Sequence, residues 1–474
     1  GEGRGGGRGR PNPGGSAQPG RAPPHKRGIW NPEVEASVEQ RTRKSKKEAS
    51  LPPPPSPRLE LRRMQKAKKL RNVLYKACKA AGASVPLLCF ERWLSRCKLQ
   101  EASEGAEGAD PLLPSTPWMD PGLVRDLRRG RMDEAVARDI ATKLAAAAVR
   151  AVEDLKTEEG GADDEVRVER KASTVQVSCG APKPYIAINT EHYTKLRALF
   201  GRYGGHGEVD TDETQLAFHR QLWSLMARYE ALSGHGYQAA LCEAGFATLR
   251  RGMAVDFECF ASPLNCHYGR HCSAFPDTDA AFGSLGSFFR LHPTAGSFEA
   301  NPPFVPEVMS AMAAHMDKLL RRATGPLSFT VIIPAWEEVL AWKQLTESDF
   351  CRQHWRVGAA EHGYCDGAQH NARFRYRPSS FDTSVIILQN DAAAKKWPVT
   401  AQLQEDLSKA MRSALPRGAP TISDYEKRIR GPKRRGPAGS PAGKPAQEPG
   451  QARKKPRREA PSAAAEGKAA PKAA

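Results

Sequence analysis

The sequence predicts an α/β fold in which a mainly parallel sheet packs against an N-terminal helical domain, with a disordered basic tail at each end. Three observations carry this. Apolar residues recur at near-helical spacing after residue 58, short β-branched runs appear after residue 250, and a helical repeat lies between two of those runs.

Residues 1–57 hold a Gly/Arg stretch, a basic run from Arg41 to Lys47 and the polyproline Pro52 to Pro55. Such a composition buries too little apolar surface to offset chain entropy, so it reads as disordered. Leu61, Met64, Leu70, Val73, Leu74 and Ala77 then repeat as one helix face. Phe90, Trp93 and Leu94, and an Ala-rich stretch from Ala135 to Val152, extend a helical domain assigned to 58–180. The acidic, Gly-containing Glu158 to Glu165 reads as a linker within it.

The domain at 181–411 begins with a helix pattern of Leu222, Leu225, Met226, Tyr229 and Leu232. Three strands follow: Val255 to Phe260, Ser328 to Ile333 ended by Pro334, and Ser384 to Gln389. Val308, Met309, Met312, Met316, Leu319 and Leu320 form a helix that Gly325 ends. Strand, helix and strand at this length make a βαβ unit, and hence a mainly parallel sheet. From 412 to 474 the chain turns to Pro, Gly, Ala and Lys.

The formal charge of +19 favours a polyanionic partner, because Lys and Arg neutralise phosphate. From Lys427 to Ala474 there are 14 Lys/Arg against 3 Glu, a net of +11, so most of the excess lies in one tail. Lys427 to Arg430, Lys433 to Arg435 and Arg453 to Arg458 form clusters of the nuclear-localisation type. Ten cysteines without a C-x-x-C pair suit a reducing compartment. Cys266, His267, His271 and Cys272 are near one another, but no distant second pair completes a tetrahedron, so no metal is assigned. No apolar run approaches the ~20 residues of a membrane span, and the Gly/Arg-rich start lacks a signal-peptide core. The expected location is the nucleus.

The segment with most chemistry in it is Asn301-Pro302-Pro303-Phe304. An apolar approach precedes it and a helix with Pro306 in its first turn follows, which puts it at a strand's carboxyl end, where open α/β sheets bind ligands. An exocyclic adenine amine is a poor nucleophile, its lone pair being delocalised into the ring. The Asn301 side-chain oxygen and the Pro302 carbonyl supply acceptors for its two N–H bonds. Pro302 and Pro303 hold the loop rigid, and Phe304 offers a face for an extruded base. The bland alternative is a Pro-Pro loop that merely joins strand to helix.

For a cofactor, the first strand's end at Ser262-Pro263-Leu264-Asn265 is the natural place, together with Asp277, Asp279, Gly283, Ser284 and Glu299. No G-x-G-x-x-G motif stands there, which argues against a dinucleotide dehydrogenase. Trp336, just past the strand ended by Pro334, is a candidate for stacking on a flat cation, with Glu361 and His362 beside it as substrate contacts.

These residues carry a resemblance. Phe257 to Cys266, Cys272 to Asp279 and Ser297 to Phe304 are similar to the phosphorylated-CTD-interacting factor family. Pro334-Ala-Trp336, Glu361-His362, Leu388 to Asp391 and Asp110 to Pro114 continue the likeness, which runs from about residue 51 to 410. The resemblance implies a Rossmann-like methyltransferase domain on a helical domain and S-adenosylmethionine as methyl donor. It also implies capped mRNA as substrate, with transfer to N6 of the 2′-O-methyladenosine next to the 7-methylguanosine cap, and Asn301, Pro302, Pro303 and Phe304 as the catalytic tetrad. The region between Val152 and Val175 is shorter than the family pattern. No WW domain precedes residue 51, where Trp30 stands alone, although the family implies the RNA polymerase II C-terminal tail as a partner. Two other readings stay open: a catalytically silent RNA- or polymerase-binding adaptor, and an N6-adenine methyltransferase acting on another nucleic acid.

Overall fold

The computed structural model describes residues 29–31, 34, 36, 54–106, 108–157, 165–180, 184–205, 207–232, 239–372 and 375–415. The basic clusters at 427–458 and most of the linker at 158–165 lie outside them.

Four helices open the chain: α1 Pro57–Ala80, α2 Cys89–Ser103, α3 Pro121–Arg129 and α4 Glu134–Thr157. Ser56 caps α1 by accepting from the Leu59 amide at 3.2 Å, and Pro57 sits in the first turn, where its missing N–H costs nothing. Its buried stripe runs through Met64, Ala67, Leu70, Leu74 and Cys78. Leu61 and Val73, expected on that stripe, lie at its flanks, and Val73 is 40% exposed. Alanines at 137, 141, 145, 148 and 151 line the buried side of α4, where small side chains allow close approach to α1.

A three-stranded antiparallel sheet follows inside the stretch read as helical: β1 Val166–Arg170, β2 Thr174–Cys179 and β3 Tyr185–Asn189. Val166, Val175, Val177, Ile186 and Ile188 turn inward onto α5 Thr190–Tyr203 and α6 Asp212–Ala231. The period-two valines of β1 and β2 are a strand signal, but each strand is too short to stand out beside the long helices.

The larger sheet is built after α7 Glu243–Met253 from β4 Phe257–Glu258, β5 Gly296–Ala300, β6 Leu327–Pro334, β7 Cys351–Val357 and β10 Thr383–Gln389. Its order is β4-β5-β6-β10-β7. The short α8 Pro276–Asp279 lies between β4 and β5, and α9 Pro306–Arg322 joins β5 to β6. Beyond β6 come α10 Leu340–Thr346, the small hairpin of β8 Gly363–Cys365 and β9 Tyr376–Pro378, α11 Asp391–Lys396 and α12 Ala401–Arg412.

The sheet is mixed: the expected parallel pairing holds for β4, β5 and β6 and not for the remaining strands. β4, β5 and β6 are parallel, but β10 runs antiparallel to both β6 and β7. All seven residues of β10 are buried, so its sequence is a continuous apolar-rich run without a direction signal. One face of the sheet carries Phe257, Phe298 and Phe329 in register against α9 and α10. The other carries Ile332, Val385 and Ile387 against α7 and α12. This mixed α/β layering is compatible with a methyltransferase fold.

Part of the N-terminal segment read as disordered is docked. Ile29 and Val34 are buried, and Asn31 donates its amide to the His267 carbonyl at 2.8 Å. A few apolar residues in a Gly/Pro-rich stretch are enough to anchor it locally.

A buried ionic network ties the two halves together. Arg228 of α6, fully buried, donates to both Glu60 oxygens at 2.9 and 2.6 Å and to both Asp277 oxygens at 3.0 and 2.7 Å. Arg63 joins Glu60 to Asp110. Arg228→Ala leaves Glu60 and Asp277 short of their cation and should destabilise the chain by about 3–5 kcal/mol. Denaturant unfolding measures this, and a loss under about 1 kcal/mol would contradict the role given to the network.

Candidate functional site

Asn301 follows β5 directly, at the carboxyl edge where β4 and β6 also end. Its side chain is almost fully buried. The amide nitrogen donates to the Ala239 carbonyl at 2.9 Å, which a carbonyl accepts only from an N–H, so the orientation of the amide is set. The other end, Oδ1, is buried and has no hydrogen-bond partner among the described residues. Buried acceptors are nearly always paired, and an orphan beside a sheet's ligand-binding edge marks a place for a donor from outside the chain.

The loop after Asn301 is held from both sides. Val305 donates its amide to the Pro303 carbonyl at 2.7 Å, Pro306 starts α9, and the Met309 amide donates to the Val305 carbonyl at 2.9 Å. Val305 and Val308 are buried against Leu88, Leu99, Phe260 and Phe289, so the helical domain touches the tetrad's own turn. Arg125 of α3 reaches Glu307 in the same place.

Phe304 is half-buried in an aromatic corner. Its ring lies 6.5 Å from Trp336, 6.4 Å from Tyr364 and 5.4 Å from Phe381, each edge to face, and Trp336 is 6.0 Å from Phe381. Sequence reasoning picked out Trp336 but missed Tyr364 and Phe381, which lie in segments without a strong pattern. Trp336 sits past β6, where Arg356 of β7 pairs with Glu337.

His362 is fully buried, behind this corner instead of in it. Nδ1 lies 2.7 Å from the Gly358 carbonyl and must donate to it. Nε2 therefore accepts from the Thr383 hydroxyl at 2.8 Å, which in turn accepts from Tyr364 at 2.6 Å. Burial lowers the His362 pKa, consistent with a neutral ring. His362 thus orients Tyr364, which touches Phe304. Glu361 is exposed, 3.6 Å from Arg412.

The proposed cofactor residues divide. Ser262 and Asn265 form a closed turn: the Ser262 amide and hydroxyl both donate to Asn265 Oδ1, at 2.7 and 2.9 Å. Pro263 and Leu264 lie inside that turn, buried. Asp277 is taken up by Arg228. Asp279 accepts from Tyr229 at 2.6 Å and Thr278 at 2.8 Å, and burial pushes its pKa up to about 6. Gly283 has φ +101°, and a Cβ there would meet the Gly269 carbonyl at 2.1 Å. Ser284 bonds Ser273 at 2.6 Å and accepts from the Gly286 amide. Asp277 and Asp279 therefore tie the loop between β4 and β5 to Arg228 and Tyr229 of α6, and Gly283 and Ser284 brace the loop from within.

Glu299 is different. It lies in β5 two residues before Asn301, is 1% exposed, and its Oε1 has no partner among the described residues. Two orphaned acceptors, on Glu299 and Asn301, thus stand together at the sheet edge. They suit a ligand that brings both positive charge and N–H donors, as a sulfonium methyl donor and an adenine would. Cys266, His267, His271 and Cys272 do not converge: no group of three or more His, Cys, Asp or Glu among the described residues is arranged to hold a metal. The His267 ring instead stacks on Phe246 at 4.6 Å.

Burial raises the Glu299 pKa well above its ordinary 4.5, and the neighbouring Glu258 adds to the shift. The folded chain then keeps the proton while the unfolded chain releases it above pH 4.5. Stability is fully present below that value and is lost as pH rises toward the folded pKa. Glu299→Gln cannot ionise in either state. Without ligand, its stability relative to wild type should be unchanged near pH 4 and rise above pH 4.5 by up to about 1.4 kcal/mol per pH unit. A difference that stays flat from pH 4 to 8 would mean that Glu299 is ionised in the fold.

Comparison with known proteins bears on this site. Residues 195–367 match the family described as the phosphorylated CTD interacting factor 1 WW domain. In this chain the described part of that stretch forms most of α5, then α6 to α10 and β4 to β8, including the Asn301 loop. A human protein named mRNA (2'-O-methyladenosine-N(6)-)-methyltransferase is 39% identical over 240 residues, and a mouse protein of the same name is equally similar. The match covers 48% of this chain and 33% of each relative, so the chain spans about a third of the length of the curated relatives it matches.

Proposed function

We propose that the chain is a member of the phosphorylated-CTD-interacting factor family and an S-adenosylmethionine-dependent mRNA methyltransferase. Its target in this reading is N6 of the 2′-O-methyladenosine next to the 7-methylguanosine cap. The observation that carries the proposal is the Asn301 amide, fixed by its nitrogen and unpartnered at its oxygen.

S-adenosylmethionine, when bound, supplies an electrophilic methyl group on a cationic sulfur. The chain's own residues do the rest. Asn301 Oδ1 and the Pro302 carbonyl accept the two N6–H bonds, which turns the nitrogen lone pair out of conjugation and aims it. The ring constraint of Pro302 and Pro303 and the packing of Val305 hold those acceptors still. Phe304 stacks on the base. Trp336, perpendicular to Phe304, meets the edge of that base, and Phe381 and Tyr364 exclude water from the corner. The turn from Cys259 to Asn265 and Glu299 border the place left for the cofactor. Asp277 and Asp279 are engaged elsewhere, so ribose hydroxyls find their acceptors outside that pair.

The edge-on packing of Trp336 against Phe304 favours contact with the adenine over stacking on the cap. Glu361, exposed and only loosely paired, is the more available carboxylate for the N–H edge of a 7-methylguanine. The RNA polymerase II tail is proposed as a partner from the family alone. The nucleus is proposed as the location from the basic clusters after Lys427. No helix among the described residues is long and apolar enough to cross a membrane.

Asn301→Ala should cost about 10²-fold or more in methyl transfer while leaving cofactor binding largely intact. Trp336→Ala, assayed on capped RNA and on the same RNA with a 5′-triphosphate, should penalise both alike. Near-normal turnover of Asn301→Ala sinks the catalytic assignment, and a penalty confined to capped RNA moves Trp336 to the cap. A chain ending at Ile429 should leave the nucleus yet keep its activity in vitro. Retention in the nucleus would contradict the localisation proposal.

A further inference from the structure

Two carboxylates stand side by side on the sheet just beneath the candidate site. Glu258 ends β4 and Glu299 is its direct partner in β5, and the two strands are parallel. Neighbouring strands are about 4.8 Å apart, and paired residues share a face. Both side chains are almost fully excluded from water, at 2% and 1% exposure.

Their surroundings are unequal. Glu258 Oε2 accepts from the backbone amides of His267 and Tyr268 at 2.7 and 2.9 Å, an arrangement that stabilises a carboxylate. Burial pushes the Glu258 pKa up to about 7, and those two amides together with Lys195 of α5, itself 1% exposed and donating to the Cys266 carbonyl at 2.6 Å, hold it from rising further. Glu299 has neither aid. Its Oε1 is orphaned, and Glu258 is the charged group that acts on it. Cys259, Tyr268 and Tyr364 also lie near enough to feel its charge, and burial pushes their pKa values up, so they remain neutral. His271, near Lys195, is pushed down to about 3 by burial and is neutral as well.

The charge count is thus one buried lysine against two buried carboxylates. Lys195 matches Glu258, and among the described residues no cation matches Glu299. Two like charges on neighbouring buried carboxyls are strongly disfavoured, so a proton held by the pair goes to Glu299, the member with neither amide donors nor a lysine beside it. Glu299 is also the carboxyl two residues from Asn301, on the edge where a ligand enters.

The geometry points to Glu299 as a charge sensor for the methyl donor: it is protonated in the free chain and gives up its proton when a sulfonium cation binds beside it. This rests on the methyltransferase reading above. The arriving cation plays for Glu299 the part that Lys195 plays for Glu258, and the proton passes to solvent. On turnover the C–S bond breaks and a C–N bond forms, the sulfur becomes a neutral thioether, and N6 sheds one proton. With the cation gone, Glu299 regains one proton, so the protons balance. The device makes the site prefer the charged donor to its neutral product, because only the former repays ionisation of Glu299.

Calorimetric titration of the full chain at pH 7, in buffers of different ionisation enthalpy, counts the protons exchanged on binding. S-adenosylmethionine should release about one proton more than S-adenosylhomocysteine, which differs from it by the methyl group and the charge. Sinefungin, with an ammonium group near the sulfonium position and no transferable methyl, should behave like the donor. In Glu299→Gln the difference between donor and thioether should vanish while the thioether still binds. Equal proton counts for donor and thioether in the wild-type chain overturn the inference without any variant, as does a difference that survives in Glu299→Gln. Failure of all three ligands to bind would overturn the methyltransferase reading itself, and this inference with it.

Discussion

One hydrogen bond decides what the Asn301 side chain offers to a substrate. Because its nitrogen donates to the Ala239 carbonyl, its oxygen is the end left for a ligand. A carboxamide held the other way would present two donors and repel an amine. The remaining features of the edge serve that orientation: a strand that delivers the residue, two prolines that stop the backbone from moving, and a valine turn clamped by a second domain. Catalysis by placement asks for this kind of rigidity, since an acceptor that shifts by an ångström loses most of its effect.

The helical domain is therefore part of the site's foundation. Leu88 and Leu99 pack on Val305 and Val308, and Arg125 pairs with Glu307 in the first turn of α9. Farther away, Arg228 gathers Glu60 from α1 and Asp277 from the loop beneath the sheet edge. Replacing such a network with apolar groups is often harmless to stability, but breaking one member is not. Here it also fixes how the helices meet the loop between β4 and β5, where Asp279, Ser284 and Gly283 complete the bracing.

Much of this was legible in the residues, and the remainder was hidden for identifiable reasons. The Asn-Pro-Pro-Phe segment could be placed at a strand end because Pro306 marks a helix start and the apolar run before it is short. The long helices α1, α4 and α9 show their period over several turns. The three-stranded sheet at 166–189 was missed because five- and six-residue strands carry only two or three inward positions each. Pairing direction is not written in a fully buried strand, so the reversal of β10 could not be foreseen. Asp277 and Asp279 looked like ligand carboxylates because a sequence does not show that Arg228 and Tyr229, about fifty residues earlier, reach them. His362 read as a substrate contact beside Glu361, whereas its ring is held inside the fold by Gly358 and Thr383, which come from separate segments. Orphaned acceptors such as Asn301 Oδ1 and Glu299 Oε1 are visible only once every other donor has been located.

The most direct test is a crystal structure of the chain with S-adenosylhomocysteine and a short capped RNA that begins with 2′-O-methyladenosine. The account predicts the adenine against Phe304, with N6 at about 2.7–3.2 Å from Asn301 Oδ1 and from the Pro302 carbonyl. The Asn301 nitrogen should still be bonded to Ala239. An adenine bound elsewhere, or an Asn301 oxygen that meets a group of the chain instead of N6, would contradict it.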